Sequence, residues 1–175
     1  YPFIRPEFIH KALAQFTGSI VSANSKYDQY KKGTRSFTPQ EENGYQVYKV
    51  SCASCHPEPL FTDYSYRNIG LPVDPLLNDF GRMRITGQAE DSLKFKVPTL
   101  RNTYISSNYM HDGRFNTLQQ CLNHYRNNVQ PAATLDPLLT NGITLTTTQN
   151  DNLLLFLRAL TDSSLLRDPR YKRPD

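Results

Sequence analysis

Apolar residues recur at helical spacing near both ends of the chain. Near the start they predict an amphipathic helix over about residues 6–22, with apolar positions at Phe8, Ile9, Ala12, Leu13, Phe16 and Ile20. Near the end, Thr146 is a predicted helix cap and the apolar stripe that follows is wide enough to pack on another helix. That stripe consists of Leu153, Leu154, Phe156, Leu157 and Leu160.

Two further helices are predicted from their capping sequences. Thr38-Pro-Gln-Glu41 offers a threonine cap, proline at the first helical position and glutamate three residues after the cap. We expect this helix to run to about residue 50 and to lead directly into Cys52. A second capping sequence, Thr117-Leu-Gln-Gln120, predicts a short helix.

The segment from residue 57 to residue 115 has little periodicity, because prolines interrupt any long element. They are Pro57, Pro59, Pro72, Pro75 and Pro98. The chain shows no internal repeat, low-complexity tract or convincing strand. The predicted fold class is therefore all-α.

Composition limits the protein to one modest domain. The 175 residues are 38% hydrophobic and 11% aromatic, enough for a single core. The net charge of +4 is spread along the chain, which favours a solvated surface over a nucleic-acid interface. No apolar run approaches the roughly 20 residues of a membrane span.

Cys52-Ala-Ser-Cys55-His56 is a C-x-x-C-H sequence, typical of c-type haem attachment. The two thiols can add to the two vinyl groups of one haem, and the adjacent histidine then reaches the iron. A thioredoxin-like site would need a βαβ pattern, and a zinc site would need a second ligand pair. Cys121 is the only other cysteine, so we interpret it as a buried free thiol. A structural disulfide or free thiols at Cys52 and Cys55 is the remaining alternative.

With His56 on one side of the iron, function depends on the ligand opposite. A methionine would favour ferrous iron, whereas a tyrosine phenolate would stabilise ferric iron. Spacing does not choose among the candidates, which are Met83, Met110, Tyr125, His10, His111 and His124.

Several longer segments resemble one family. FKVPTLRN (residues 95–102) and YMHDGRF (residues 109–115) are similar to the C-terminal haem domain of the bacterial di-haem cytochrome c peroxidase and MauG family. CASCHPEPLFTDYSYRNIGLP resembles the family's attachment segment, FGRMRITG its following loop and LDPLLTNGITLTTTQNDNLLLFLRALTD its closing helix. HKALAQFTGSIVSANSKYDQY resembles the helix and link that lead in from the preceding domain.

The resemblance implies a cytochrome c-like domain wrapped around one covalently attached c-type haem. Residues 37–162 would form that domain. Residues 1–36 would be the helix and linker leading in from a preceding haem domain, and residues 163–175 a polar C-terminal tail.

The resemblance also implies roles for individual residues. Counting forward from His111-Asp-Gly113 places Tyr125 at the family's distal-ligand position, so His56 and Tyr125 would hold the iron as in MauG, with Met110 as the alternative. Arg82 and Arg101 match motif arginines that could pair with haem propionates; the alternative for each is a surface salt bridge.

Two expectations concern the loops around that turn. His111 would order the haem-side loop through hydrogen bonds. The family binds calcium between its two haem domains, partly through backbone carbonyls that would here belong to Ser106 and Asn108. Asn108 replaces a usual proline, which makes the calcium expectation weaker.

Family members carry two haems, so we expect a second haem on an N-terminal domain of the same protein. The implied activity is reduction of hydrogen peroxide to water, with this chain relaying electrons from a small redox protein, either a cytochrome c or a copper protein. The alternatives are a MauG-like oxidation of a protein or organic substrate, and a stand-alone mono-haem electron carrier or sensor.

We expect a bacterial, periplasmic or otherwise exported protein, in mature or fragment form. Homodimerisation is a further expectation, and nucleic acid is not an expected partner.

Overall fold

The computed structural model describes residues 4–171 and is rich in helix. Six α-helices occur in this part of the chain: α1 (Pro6–Ser19), α2 (Lys26–Lys31), α3 (Pro39–Ser51), α4 (Met83–Thr86), α5 (Leu118–Asn123) and α6 (Thr147–Ala159). A π-helical turn, His124–Asn128, continues α5. Short 3₁₀ turns lie at Ala89–Asp91, Thr103–Ile105, Pro137–Leu139, Leu165–Arg167 and Pro169–Tyr171.

The capping predictions are confirmed at three helices. Thr38, Thr117 and Thr146 each accept a hydrogen bond from the backbone N–H three residues on, and the Glu or Gln at that position bonds back to the cap. Each reciprocal pair satisfies two donors that a helix start would otherwise leave unbonded. The predicted first helix also forms, but it ends at Ser19 rather than near residue 22.

Helices α2 and α4 and a small sheet were not predicted. Ser25 and Asp28 form a capping box that starts α2 inside the segment expected to be a linker. Strands β1 (Tyr66–Arg67) and β2 (Phe95–Lys96) pair antiparallel, with Tyr66 opposite Lys96. Two residues are too few to produce a strand pattern, so the sheet is a small departure from the all-α expectation.

The core lies where α3 packs on α6. Gly44 of α3 allows this close approach, since a Cβ there would come within 2.0 Å of the Asn152 carbonyl oxygen. Aromatic side chains fill much of the interior, and the buried cluster consists of Tyr27, Tyr45, Tyr48, Phe61, Leu122, Leu145, Leu153, Phe156, Leu157 and Leu160. Helix α3 is thereby held firmly, and its last residue precedes Cys52.

The buried Asp162 carboxylate fastens the segment after α1 to the end of α6. One oxygen accepts from the backbone N–H groups of Ala23 and Asn24, at 3.1 and 2.9 Å, and the other accepts from Ser164 and Leu165. Within the predicted polar tail, the Tyr171 hydroxyl donates to the Ser19 carbonyl. Residues 1–3 and 172–175, which the sequence interpretation assigned to the first segment and the tail, lie outside the described residues.

Helix α1 contributes nothing to this core. None of its residues is buried, and Phe8, Leu13 and Phe16 each remain about half exposed. Within residues 4–171, no helix has the length and apolar character needed to cross a membrane.

Candidate haem-attachment site

The end of helix α3 places the two motif thiols. Cys52 caps the helix, its N–H donating to the Tyr48 carbonyl at 2.8 Å. The chain then turns tightly, and the N–H groups of Cys55 and His56 both donate to the Cys52 carbonyl, at 3.2 and 3.0 Å. This turn brings both cysteines and the histidine to one place.

The two thiols are not joined by a disulfide, and both are affected by burial. Cys52 and Cys55 are free and only partly exposed. Burial, with a smaller contribution from Cys55, raises the pKa of the Cys52 thiol to about 12, and burial also raises the pKa of Cys55. A redox-active C-x-x-C pair has the opposite property, a lowered pKa, so the thioredoxin-like alternative is not supported.

The His56 ring is oriented for ligation through Nε2. Its Nδ1 lies 3.0 Å from the Phe61 carbonyl and 3.1 Å from the Pro98 carbonyl, so this nitrogen carries the proton and donates. Tyr48 donates to the His56 backbone carbonyl, which fixes the main chain. Burial lowers the pKa of His56, which favours the neutral imidazole that binds metals.

A charged network that the sequence interpretation missed supports this turn. Arg67 donates to Asp136 at 2.6 Å, to Asp63 at 2.7 Å and to Ser65 at 2.9 Å. The Asp63 N–H donates to the Cys55 carbonyl at 3.2 Å, joining the network to the motif. Burial by itself would raise the pKa of the Asp63 carboxyl. The hydrogen bonds from Arg67 and Ser65 outweigh burial and lower this pKa to about 2. The spacing Asp63-x-Ser65-x-Arg67 is the part of this network that the sequence could have indicated. Asp136 could not be predicted as a partner, because it lies far away in the chain.

Tyr125 lies in the π-helical turn after α5. Burial raises the pKa of its phenol, and electrostatic contributions from Cys121, Cys52 and Cys55 raise it further, so the ring is within electrostatic range of the two attachment thiols. Its backbone carbonyl accepts from the Ile143 N–H at 2.8 Å. π-Helical turns are frequent at functional sites because they redirect a side chain within a helix. The assignment of Tyr125 as an iron ligand stays a prediction, and this position is compatible with it.

The other candidate ligands have different surroundings. The buried His124 ring bonds through Nε2 to the Ile69 carbonyl at 2.9 Å. His111 stacks on Phe95 with ring centroids 3.6 Å apart, and burial lowers its pKa. His10 is exposed on α1, whereas Met83 and Met110 are half-buried.

The two motif arginines have separate roles in this structure. Arg101 donates to both carboxylate oxygens of Asp28 at 2.9 Å and also to the Pro59 carbonyl. All three of its guanidinium nitrogens are thus engaged, which favours the salt-bridge alternative over a propionate contact. Arg82 donates through Nε to Asp91 at 3.0 Å and lies over the Tyr66 ring, with its side chain 40% exposed.

The side chains at Ser106 and Asn108 do not form a cluster that would support the predicted calcium site. Ser106 and Asn108 are exposed, and the Asn108 amide donates to the Gly113 carbonyl and to Asn116, each at 3.2 Å. Among residues 4–171, no three His, Cys, Asp or Glu side chains are grouped as a metal site. Backbone ligation shared with another domain stays a prediction.

No protein-family model matches the chain. Cytochrome c551 peroxidase of Nitrosomonas europaea is 38% identical over 118 residues, which cover 65% of this chain and 35% of that protein. The methylamine utilization protein MauG of Paracoccus denitrificans is 31% identical over 208 residues, covering 94% of this chain and 54% of that protein. The chain belongs to the cytochrome c peroxidase and MauG family. It spans from about a third to about half the length of these two relatives.

Solved structures agree with this family and confirm a cytochrome c-like fold. A MauG-like protein associated with microbial copper homeostasis superimposes with a TM-score of 0.77 and 29% identity, over 87% of this chain and 52% of that protein. The diheme peroxidase BthA from Burkholderia thailandensis gives a TM-score of 0.67 over 82% of this chain and 48% of that protein. Its 24% identity supports the fold alone.

The donor set fits one c-type haem. Two neighbouring thiols and a neutral imidazole held through Nδ1 have the chemistry that thioether attachment and iron ligation require, and Tyr125 as a further ligand stays a prediction.

Proposed function

We propose that this chain is the electron-relaying C-terminal haem domain of a di-haem peroxidase. The observation that carries the proposal is a Cys52–His56 motif whose histidine is held through Nδ1 and oriented for ligation. The match to about half of a MauG-like structure supports a second domain. The overall reaction would be reduction of hydrogen peroxide to water.

Each residue of the site has a defined part in this function. Cys52 and Cys55 would form thioethers with the haem, and His56 and Tyr125 would take the two axial positions. The bound haem would supply a one-electron store. Because His56 and Tyr125 would both hold the iron, the bound haem would supply electron exchange, and peroxide would be handled by the N-terminal domain.

Other predicted contacts complete the haem environment. Arg82, held through Nε by Asp91, would direct its outer nitrogens to a propionate. His111, stacked on Phe95, would shape the haem-side loop. Calcium at the Ser106 and Asn108 carbonyls would join the two haem domains.

The exposed apolar face of α1 supports a partner domain in the same protein. Phe8, Ile9, Leu13, Phe16 and Ile20 remain 43% to 56% exposed, a larger apolar strip than a solvent-facing helix normally shows. We assign this face to the N-terminal haem domain. The external partners would be peroxide and a small cytochrome c or copper protein, in the bacterial periplasm, where c-type haem is attached.

A MauG-like oxidation is the second candidate, and Tyr125 favours it because a phenolate ligand stabilises oxidised iron. In that case peroxide would drive oxidation of a protein or organic substrate.

The test is made on the intact, secreted gene product. Haem content per polypeptide is measured by mass and absorbance, and peroxide consumption is followed with a reduced cytochrome c, a reduced copper protein or no donor. Two haems and donor-dependent peroxide reduction are expected. A single haem would contradict the relay role. If the protein carries two haems but oxidises no donor, the result would contradict the proposed peroxidase function and favour the MauG-like reaction.

A further inference from the structure

A chain of tyrosine rings connects the attachment motif to the protein surface. The fully buried Tyr48 donates its hydroxyl to the His56 carbonyl. Its ring stacks near that of Tyr45, with centroids 6.1 Å apart. Tyr45 in turn meets Tyr30 edge to face at 6.2 Å, and Tyr30 stacks on Phe37 at 4.1 Å. These separations lie within the range of direct aromatic contact.

The outer end of this chain has a proton acceptor. Glu42 is the main cause of a raised pKa for the Tyr30 phenol, and its carboxylate accepts a hydrogen bond from Gln46 at 2.7 Å. Tyr30 and Glu42 are both half-buried, at the surface end of the cluster. A phenol that loses an electron becomes strongly acidic, so a carboxylate within reach lets the proton move a short distance and return.

The surface around Tyr30 is basic. Lys31, Lys32 and Arg35 follow it directly in the chain and are exposed. The Lys31 ammonium is 3.1 Å from Glu58, whereas Lys32 projects from the C-terminal end of α2. A positive surface of this kind attracts a partner with an acidic face and raises its association rate.

We propose that Tyr30 is the point at which electrons enter, from an acidic one-electron redox protein docked on Lys32 and Arg35, and that Tyr45 and Tyr48 connect it to the haem. This inference rests on the proposed function, because it requires the haem and its oxidation by hydrogen peroxide. It goes beyond that function by naming the route and the docking surface.

The electron balance is as follows. Tyr30 would give one electron through the Tyr45 and Tyr48 rings to a haem that hydrogen peroxide has oxidised beyond its resting ferric state, and its O–H proton would pass to Glu42. The docked donor then gives one electron to the Tyr30 radical, and the proton returns from Glu42 to the phenolate oxygen. Each cycle leaves Tyr30 unchanged and oxidises one donor. Two cycles supply the two electrons that, with two protons from solvent, convert one peroxide to two waters.

The first test uses full-length, haem-loaded protein treated with peroxide without a donor. Electron paramagnetic resonance should detect a tyrosyl radical in the wild type and in Tyr104→Phe, a control at an exposed tyrosine. The signal should be lost in Tyr30→Phe and weakened in Tyr45→Phe, while haem absorbance shows that both fold. No radical in the wild type, or an unchanged signal in Tyr30→Phe, would overturn the proposal.

The second test measures reduction of the oxidised haem by an acidic cytochrome or copper protein in stopped flow. Lys32→Glu with Arg35→Glu should slow association by about tenfold or more at low salt, with a weaker salt dependence. Lys11→Glu, an exposed site on α1, should have little effect. If the wild type consumes peroxide with the donor but neither the tyrosine nor the charge variants alter electron transfer, the route is wrong and the proposed function stands. If the donor fails to reduce the wild-type haem, the proposed function fails with it.

Discussion

At the scale of single residues, ion pairs between distant parts of the chain hold the segment around the attachment motif. The roles of Cys52, Cys55 and His56, predicted from spacing, and of Tyr125, predicted from a resemblance, stay predictions. The Arg101–Asp28 ion pair joins residues 73 positions apart. No local pattern could reveal this contact, because it depends on how α2 folds back on the attachment segment.

Tyr125→Phe should remove the distal ligand. Phenylalanine preserves the ring but has no oxygen, so the ferric low-spin signal should be replaced by a high-spin one. Absorbance and electron paramagnetic resonance of the haem-loaded protein measure this change. Met110→Leu is the matched control and should leave the spectrum unaltered. A sulfur-to-iron charge-transfer band in the wild type would instead identify methionine as the ligand.

Asp63→Asn should destabilise the protein in a pH-dependent manner. The folded pKa of Asp63 is about 2 against an ordinary 3.8. Its ionised form therefore stabilises the fold above about pH 4, and this contribution disappears as the pH falls from about 4 to about 2. The shift corresponds to about 2 kcal/mol. Denaturant unfolding at several pH values should show a smaller acid loss in Asp63→Asn than in the exposed control Asp151→Asn. Equal pH dependence in both variants would contradict the role of this network.

At the scale of elements, capping chemistry predicted the helix starts well. Thr38, Thr117 and Thr146 mark α3, α5 and α6 because their sequences satisfy the first backbone donors locally. Helix α2 was missed although Ser25 and Asp28 form the same box, since six residues give no readable apolar period. The β1–β2 pair was missed because it depends on contacts between distant loops.

Gly44→Ala should weaken the α3–α6 packing. The added methyl group would meet the Asn152 carbonyl at 2.0 Å, so the helices must separate and disturb the element that places Cys52. Overpacking of this kind costs about 1–3 kcal/mol. Gly18→Ala on α1 is the matched control: its Cβ meets nothing within 4 Å, and it should stabilise by about 0.5–1 kcal/mol. Thermal unfolding measures both, and a neutral Gly44→Ala would show that this contact is not tight.

At the scale of the whole molecule, the chain combines a self-sufficient core with one helix that has none of its residues buried. The aromatic core, the Asp162 contacts and the Arg67 network hold residues 23–171 together, whereas α1 presents its apolar side to solvent. The spacing of apolar residues predicted this helix, although it ends at Ser19. The pattern could not show that the apolar face is left uncovered. An amphipathic helix has the same spacing of apolar residues whether that face packs within its own domain or against another one.

Charge placed on that apolar face should loosen the two haem domains of the full-length protein without unfolding this one. Leu13→Glu with Phe16→Glu would put two carboxylates where the proposed interface excludes water, and unpaired buried charge is strongly unfavourable. Small-angle scattering should then show a larger radius of gyration, and calorimetry should show two separate transitions where the wild type has one. The helix itself should persist, because glutamate is a good helix former. Ala14→Glu, on the opposite side of α1 and exposed, is the control and should leave both measurements unchanged. If the double variant keeps the wild-type radius and a single transition, α1 does not contact the other domain, and its apolar face requires a partner outside this protein.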